Sequence, residues 1–159
     1  MRKITKSVIT AGAAMVLIGC GQGILCAQDR EAAVKDRQAT MKAQAAAMAG
    51  VKKYLEGDVD QGVAIKNVDD LVKIAQSLPD KFASKDTSTT DFPGKSGAKP
   101  IIWTDWDKFL DAQKNMVNQA EKLNAAVKNG DKRAAADQFA TTGKEGCGGC
   151  HSTYREKLS

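Results

Sequence analysis

From Asp29 onward, apolar residues recur at helical spacing along this chain. Val34, Met41, Met48 and Leu55 repeat every seven residues, with Ala45 and Val51 filling the same face, which predicts one long amphipathic helix over Asp29 to Glu56. Gly57 is a stop, and Asp58 or Asp60 can cap the next helix. Ala64, Val68, Leu71, Val72, Ala75 and Leu78 form the stripe of that second helix, which ends at Pro79. Pro100 suits the first turn of a third, whose period runs through Trp103, Trp106, Phe109, Leu110, Met116, Val117, Ala120, Leu123 and Val127 to the stop at Asn129-Gly130. Asp131 can cap a fourth, with Ala136, Phe139, Ala140, Gly143, Cys147, Cys150, His151 and Tyr154 on its inner face. Four helices with one seam apiece predict an all-α, antiparallel four-helix bundle.

Two stretches resist this pattern. Lys81 to Lys99 is rich in Ser, Thr, Asp, Gly and Pro and reads as an irregular crossover without assigned chemistry. In the fourth helix, Gly143, Gly146, Gly148 and Gly149 fall close together, and each glycine costs about 0.8–1 kcal/mol in a helix interior relative to alanine.

That same glycine-rich stretch carries the candidate chemistry, Cys147-Gly148-Gly149-Cys150-His151. Two thiols two residues apart, followed at once by an imidazole, form the c-type haem attachment motif. On a helix, Cys147 to Cys150 is i, i+3 and Cys147 to His151 is i, i+4, so one flat cofactor can meet all three. A zinc site would need a fourth ligand, and outside the N-terminal apolar segment no other cysteine or histidine exists. A thioredoxin-type pair would need a βαβ setting that the pattern lacks. One haem c per chain is therefore expected, attached to the C-terminal helix. A helix would tolerate the glycines here because two thioethers and an iron bond hold it, and because missing side chains let a haem plane approach the backbone.

The segment before Asp29 changes the charge picture. Arg2, Lys3 and Lys6 precede an uncharged, mostly apolar run from Ser7 to Gly19, shorter than the roughly twenty residues that span a bilayer. Residues 1–27 read as a signal peptide cleaved after Leu25-Cys26-Ala27, leaving one domain over residues 28–159 and a periplasmic protein. Leu17-Ile18-Gly19-Cys20 offers a second route, lipid anchoring through Cys20, which would leave Cys26 as a stray thiol able to mispair with Cys147 or Cys150. The whole chain is formally +5, but residues 1–27 hold three basic and no acidic residues, so the remainder has 21 basic against 19 acidic and is +2. Two haem propionates bring it near zero, and no nucleic-acid footprint is expected. Neither a nucleophile with its base nor a phosphate-cradling loop is present, so no enzyme activity is expected.

The haem motif close to the C-terminus, Arg37-Gln38-Ala-Thr-Met41-Lys42 in the first helix and Lys99-Pro-Ile-Ile-Trp103-Thr-Asp-Trp106 opening the third together resemble the class II c-type cytochromes, the cytochrome c prime family with its low-spin relatives. The resemblance spans nearly all of residues 28–159 and implies a left-handed four-helix bundle with haem between the helices, serving electron transfer or small-gas binding. It implies thioether roles for Cys147 and Cys150 and the proximal iron position for His151. It places Arg37 and Gln38 near the haem propionates, Arg155 near the proximal histidine and Met41 on the distal side. The glycines of the motif depart from the family, where helix formers are usual.

His151 is the only histidine, so two-histidine ligation is excluded. Met48 and Met116 read as core packing. With Met41 as sixth ligand the expected function is a periplasmic electron carrier with His/Met ligation. With Met41 merely packed over the ring, the iron is five-coordinate and open to NO or CO. Unidentified redox proteins are the expected partners, the chain acting as a monomer or homodimer. Lys52-Lys53, Lys128, Lys132-Arg133 and Lys144 suit either docking to an acidic partner or an ordinary solvated surface.

Overall fold

The computed structural model describes residues 22–158, residues 22–26 as backbone alone. It is an antiparallel four-helix bundle. Its elements are α1 (Gln22–Glu56), α2 (Gln61–Lys81), a short α3 (Ile101–Thr104), α4 (Trp106–Lys128), α5 (Lys132–Thr141), a π-helical segment (Thr142–Gly148) and α6 (Gly149–Tyr154). The last three form the fourth rod of the bundle. The basic and apolar residues before Gln22, with Cys20, lie outside the described residues, and the expected cut after Ala27 falls within the first turns of α1.

The stops and caps obey local chemistry. Gly57 and Gly130 close α1 and α4 at positive φ, 91° and 76°, where a Cβ would be strained. The Asp60 carboxylate accepts from Val63 N–H at 2.9 Å, and Asp131 accepts from the N–H groups of Arg133 and Ala134 at 3.0 Å. The second helix does not end at Pro79 but runs on to Lys81. Proline has no N–H to give to the carbonyl four residues back, that of Ala75. Here the buried Gln113 amide of α4 donates to the Ala75 carbonyl at 2.8 Å, so the missing N–H leaves no unpaired acceptor.

Three further sequence expectations are corrected. On α1 the buried stripe is Val34, Arg37, Gln44, Ala47, Val51 and Tyr54, while Met41, Met48 and Leu55 lie at its margin, half-buried, and Ala45 is exposed. Two polar members of the stripe, Arg37 and Gln44, hide it from an apolar pattern. The expected third helix is broken at Asp105 (φ −134°, ψ 60°), whose carboxylate is engaged by Lys108 Nζ at 2.6 Å instead of capping α4. The fourth rod buries Ala135 and Thr142, not Ala136 and Ala140. The π-helical segment accounts for this, because a π turn takes up about one residue more than an α turn. A stripe anchored on Cys147 to Tyr154 and extrapolated backwards at α-helical period arrives one residue out of register.

Lys81 to Lys99 is a folded strap. Ser96 Oγ donates to Thr87 O at 2.7 Å, Thr89 N–H to Ala98 O at 2.8 Å, and Ser88 N–H to Asp91 at 2.8 Å, and Thr87 is fully buried. Its end is tied to the chain's C-terminal residues by the Ala98 and Arg155 bridge, by Lys99 N–H to Tyr154 O at 3.0 Å and by Glu156 N–H to Gly97 O at 2.8 Å. A Cβ at Gly97 would lie 2.8 Å from the Glu156 carbonyl, so only glycine fits this crossing. Two apolar clusters result. One, from α1, α2, α4 and α5, fills the middle of the bundle, and the other gathers Leu78, Phe82, Ala98, Ile102, Phe109 and Tyr154 at the strap end.

Candidate haem site

Beside the second cluster lies a cavity of about 660 Å³, within the roughly 300–1,000 Å³ usual for small-molecule and cofactor sites. The motif residues Cys147, Cys150 and His151 all line it, and so does Met41. Gly146 forms part of the wall, and a larger residue there would push Met116 aside. A Cβ on it would sit 2.9 Å from Met116 Sδ. The same sulfur lies 3.8 Å from Cys147 Sγ, so Met116, buried in the core, also steadies the first thiol. Gly146 thus lets α4 and the motif pack closely, and the π-helical segment carries Cys147 to the cavity that Cys150 and His151 of α6 also line.

Burial sets the protonation of the three groups. It pushes both thiols up, Cys150 to about 11 with the Cys147 charge adding, so each is a neutral thiol at neutral pH. Burial, then the nearby Arg155 cation, lowers His151, which keeps the imidazole neutral with a free lone pair. Among the described residues neither imidazole nitrogen has a hydrogen-bond partner.

Arg37 is not the solvated residue its helix position allows. It is 4% exposed and lines the cavity. Its Nη1 donates to Thr87 Oγ1 at 2.6 Å and its Nη2 to the Thr87 carbonyl at 2.7 Å. The guanidinium lies 5.1 Å from the Phe82 ring centroid and 5.5 Å from that of Trp103. Trp103 is itself fixed by Nε1–H donation to the Phe82 carbonyl at 2.8 Å. Burial lowers Arg37 to about 10, still charged at neutral pH. No carboxylate pairs with it among the described residues. Gln38 is exposed and donates to the Lys95 carbonyl at 2.6 Å, and Arg155, also exposed, lines the cavity from the C-terminal side.

The pattern alone missed Gln44, Gln113, Phe82 and the second role of Met116, all on the cavity wall. Gln44 and Gln113 carry no apolar signal. Met116 could be read only as core, because its contact to Cys147 depends on how α4 meets the motif.

These residues fit a haem. An apolar, aromatic-rimmed cavity offers two thiols, one neutral imidazole, a glycine gap and a buried cation without a carboxylate partner, which suits a propionate. Held through Cys147 and Cys150, an iron porphyrin would supply one-electron and ligand-binding chemistry there. The protein's part is to present the thiols and imidazole from one helical rod, to exclude water with Phe82, Phe109 and Tyr154, and to hold positive charge at Arg37.

Comparison with known proteins agrees with the geometry. The family described as Cytochrome C' matches residues 32–155. Cytochrome c' of Pararhodospirillum photometricum is 28% identical over 127 residues, covering 79% of this chain and 98% of that protein. The solved cytochrome c' from Rhodobacter Spheriodes superposes with TM-score 0.70 at 26% identity, over 80% of this chain and 98% of that one. A ferrous variant of cytochrome c prime from Alcaligenes xylosoxidans, solved with bound NO, superposes with TM-score 0.68 at 26% identity, over 80% and 96%. With a cofactor-sized cavity, a C-terminal attachment motif lining it and a family match over nearly its whole described length, the chain belongs to the cytochrome c' family and binds haem c covalently through Cys147 and Cys150.

Proposed function

We propose that this protein is a periplasmic, five-coordinate haem c protein that binds NO or CO on the face opposite His151. This replaces the electron carrier with Met41 as sixth ligand as the main reading. The observation that carries it is the family match over residues 32–155, with which the packing of Met41 agrees. Its side chain is half-buried against the Phe82, Phe109 and Tyr154 cluster, where a flexible thioether serves as filler over the cavity. The NO-bound structure of the Alcaligenes xylosoxidans relative supports the same reading.

In this proposal His151 is the proximal ligand, and Arg37 receives a propionate while clamping the strap through Thr87. Gln38 and Arg155 hold the rims of the site through the strap carbonyl of Lys95 and the bridge to Ala98. Residues 1–27 act as the export signal. The cut after Ala27 leaves Cys147 and Cys150 as the only thiols, whereas processing at Cys20 would tether the same haem protein to a membrane. No turnover reaction is part of this function.

Met41→Ala tests the reading. The ferrous variant is expected to keep the spin state of the unmodified protein and to change its CO affinity by less than about tenfold, since removing a packing group costs no iron bond. A change from low-spin to high-spin, with CO binding gained only in the variant, would restore Met41 as ligand and electron transfer as function.

A further inference from the structure

His151 has little support from its own helix. It belongs to α6, only six residues long, which follows directly on the π-helical segment. Gly143, Gly146, Gly148 and Gly149 fall in that segment or at its junction with α6, and glycine is a poor helix former. A histidine that binds a metal usually has its other ring nitrogen fixed by a hydrogen bond, which sets the orientation of the ring. Among the described residues neither nitrogen of His151 has such a partner. The protein can therefore direct the ring only through the backbone and packing of α6.

The far end of α6 is held from outside the helix. Arg155 N–H donates to the His151 carbonyl at 3.2 Å, which ties the residue after α6 to the histidine. The strap then grips this end at three successive residues. Lys99 N–H donates to Tyr154 O at 3.0 Å, Ala98 bridges Arg155, and Gly97 O accepts from Glu156 N–H at 2.8 Å. The strap itself is rooted on α1, because Ser96 Oγ donates to the Thr87 carbonyl that Arg37 also engages. A hydrogen-bonded path thus runs from α1 through the strap to the residues beside His151, and Ser96, Gly97, Ala98, Arg155 and Glu156 all line the cavity. We propose that residues 96–99 of the strap position the proximal imidazole, with Gly97 as the positioning residue. By letting the strap cross Glu156 backbone to backbone, Gly97 fixes the C-terminal end of α6 and with it the direction from which His151 meets the iron. It acts through Glu156 and Arg155, whose atoms are the ones a Cβ at Gly97 would approach together with Leu158.

This inference rests on the reading of His151 as proximal ligand, and the test separates the two. Ferrous holoproteins are compared in a Met41→Ala background, where Met41 is off the iron whichever function is right. Two variants break the clasp from opposite sides. Gly97→Ala brings a Cβ within 2.8 Å of the Glu156 carbonyl, and Glu156→Pro removes the N–H that Gly97 accepts. Arg155 is extended (φ −112°, ψ 136°), the conformation a following proline prefers, so the second variant places no strain on it. Glu156→Ala keeps the N–H and is the control. Hydrogen exchange at the Lys99 amide reports on the clasp, and the iron–imidazole stretching band in resonance Raman reports on His151. Both clasp variants are expected to speed Lys99 exchange roughly two- to tenfold, the range for one net hydrogen bond, and to shift and broaden the iron–imidazole band. The control should match the Met41→Ala parent in both. A band of unchanged position and width in both clasp variants, whatever the exchange rate, overturns the inference and leaves His151 as ligand. Absence of the band from the parent overturns the ligand reading and the inference with it.

Discussion

The Cys147→Ala/Cys150→Ala variant is expected to carry no covalent haem. After export its band on a denaturing gel should show no haem stain, against full staining of the unmodified protein. Each single variant should leave one vinyl group unreacted, seen as a shifted pyridine haemochrome band and a lowered holoprotein yield. The reason is chemical and structural together. Only this thiol pair has the spacing to His151, and both cysteines line the cavity. The consequence should extend to the fold. Four glycines fall between Gly143 and Gly149, and at about 0.8–1 kcal/mol each relative to alanine they leave the motif segment poorly supported once the thioethers are gone. Haem stain surviving in the double variant would overturn the assignment.

Phe109→Ala should produce the largest loss of stability among single core changes. Phe109 is 2% exposed and is the hub of the aromatic cluster, with ring centroids 4.9 Å from Phe82, 5.2 Å from Trp106 and 5.4 Å, edge-on, from Tyr154. Removing a buried phenyl typically costs about 3–5 kcal/mol, transfer and cavity effects combined, and edge-to-face partners are lost with it. For a domain of this size the melting point should fall by on the order of 10 °C. The cluster also walls the haem cavity, so the variant should hold its haem in a wetter pocket, while Phe109→Leu should recover most of the stability. A loss below about 1 kcal/mol in a urea titration of the holoprotein would show that the cluster is looser than its geometry indicates.

The parts legible in the sequence are those written in apolar residues or in unmistakable punctuation. The stripe of α2 from Ala64 to Leu78, the stops at Gly57 and Gly130, the Asp131 cap and the haem motif all stand where the pattern puts them. What the pattern misplaced depends on polar groups that acquire partners only in three dimensions. Arg37 and Gln44 belong to the buried face of α1, one satisfied by Thr87 from a strap fifty residues away and the other with its amide nitrogen buried and unpaired among the described residues. Pro79 reads as a helix end because its compensating donor, Gln113, comes from another helix. The one-residue slip on the fourth rod comes from a π-helical stretch, and the glycines that permit it carry no periodic signal. The strap from Lys81 to Lys99 reads as featureless because its order lies in Ser and Thr hydrogen bonds and in the single close crossing at Gly97.

The central claim is that the iron opposite His151 is open to small gases, and the reduced, unmodified holoprotein tests it most directly. Its optical and magnetic spectra should be those of high-spin haem, and addition of CO should convert them to the low-spin carbonyl form without any substitution. A reduced protein that is already low-spin and remains indifferent to CO would contradict the account.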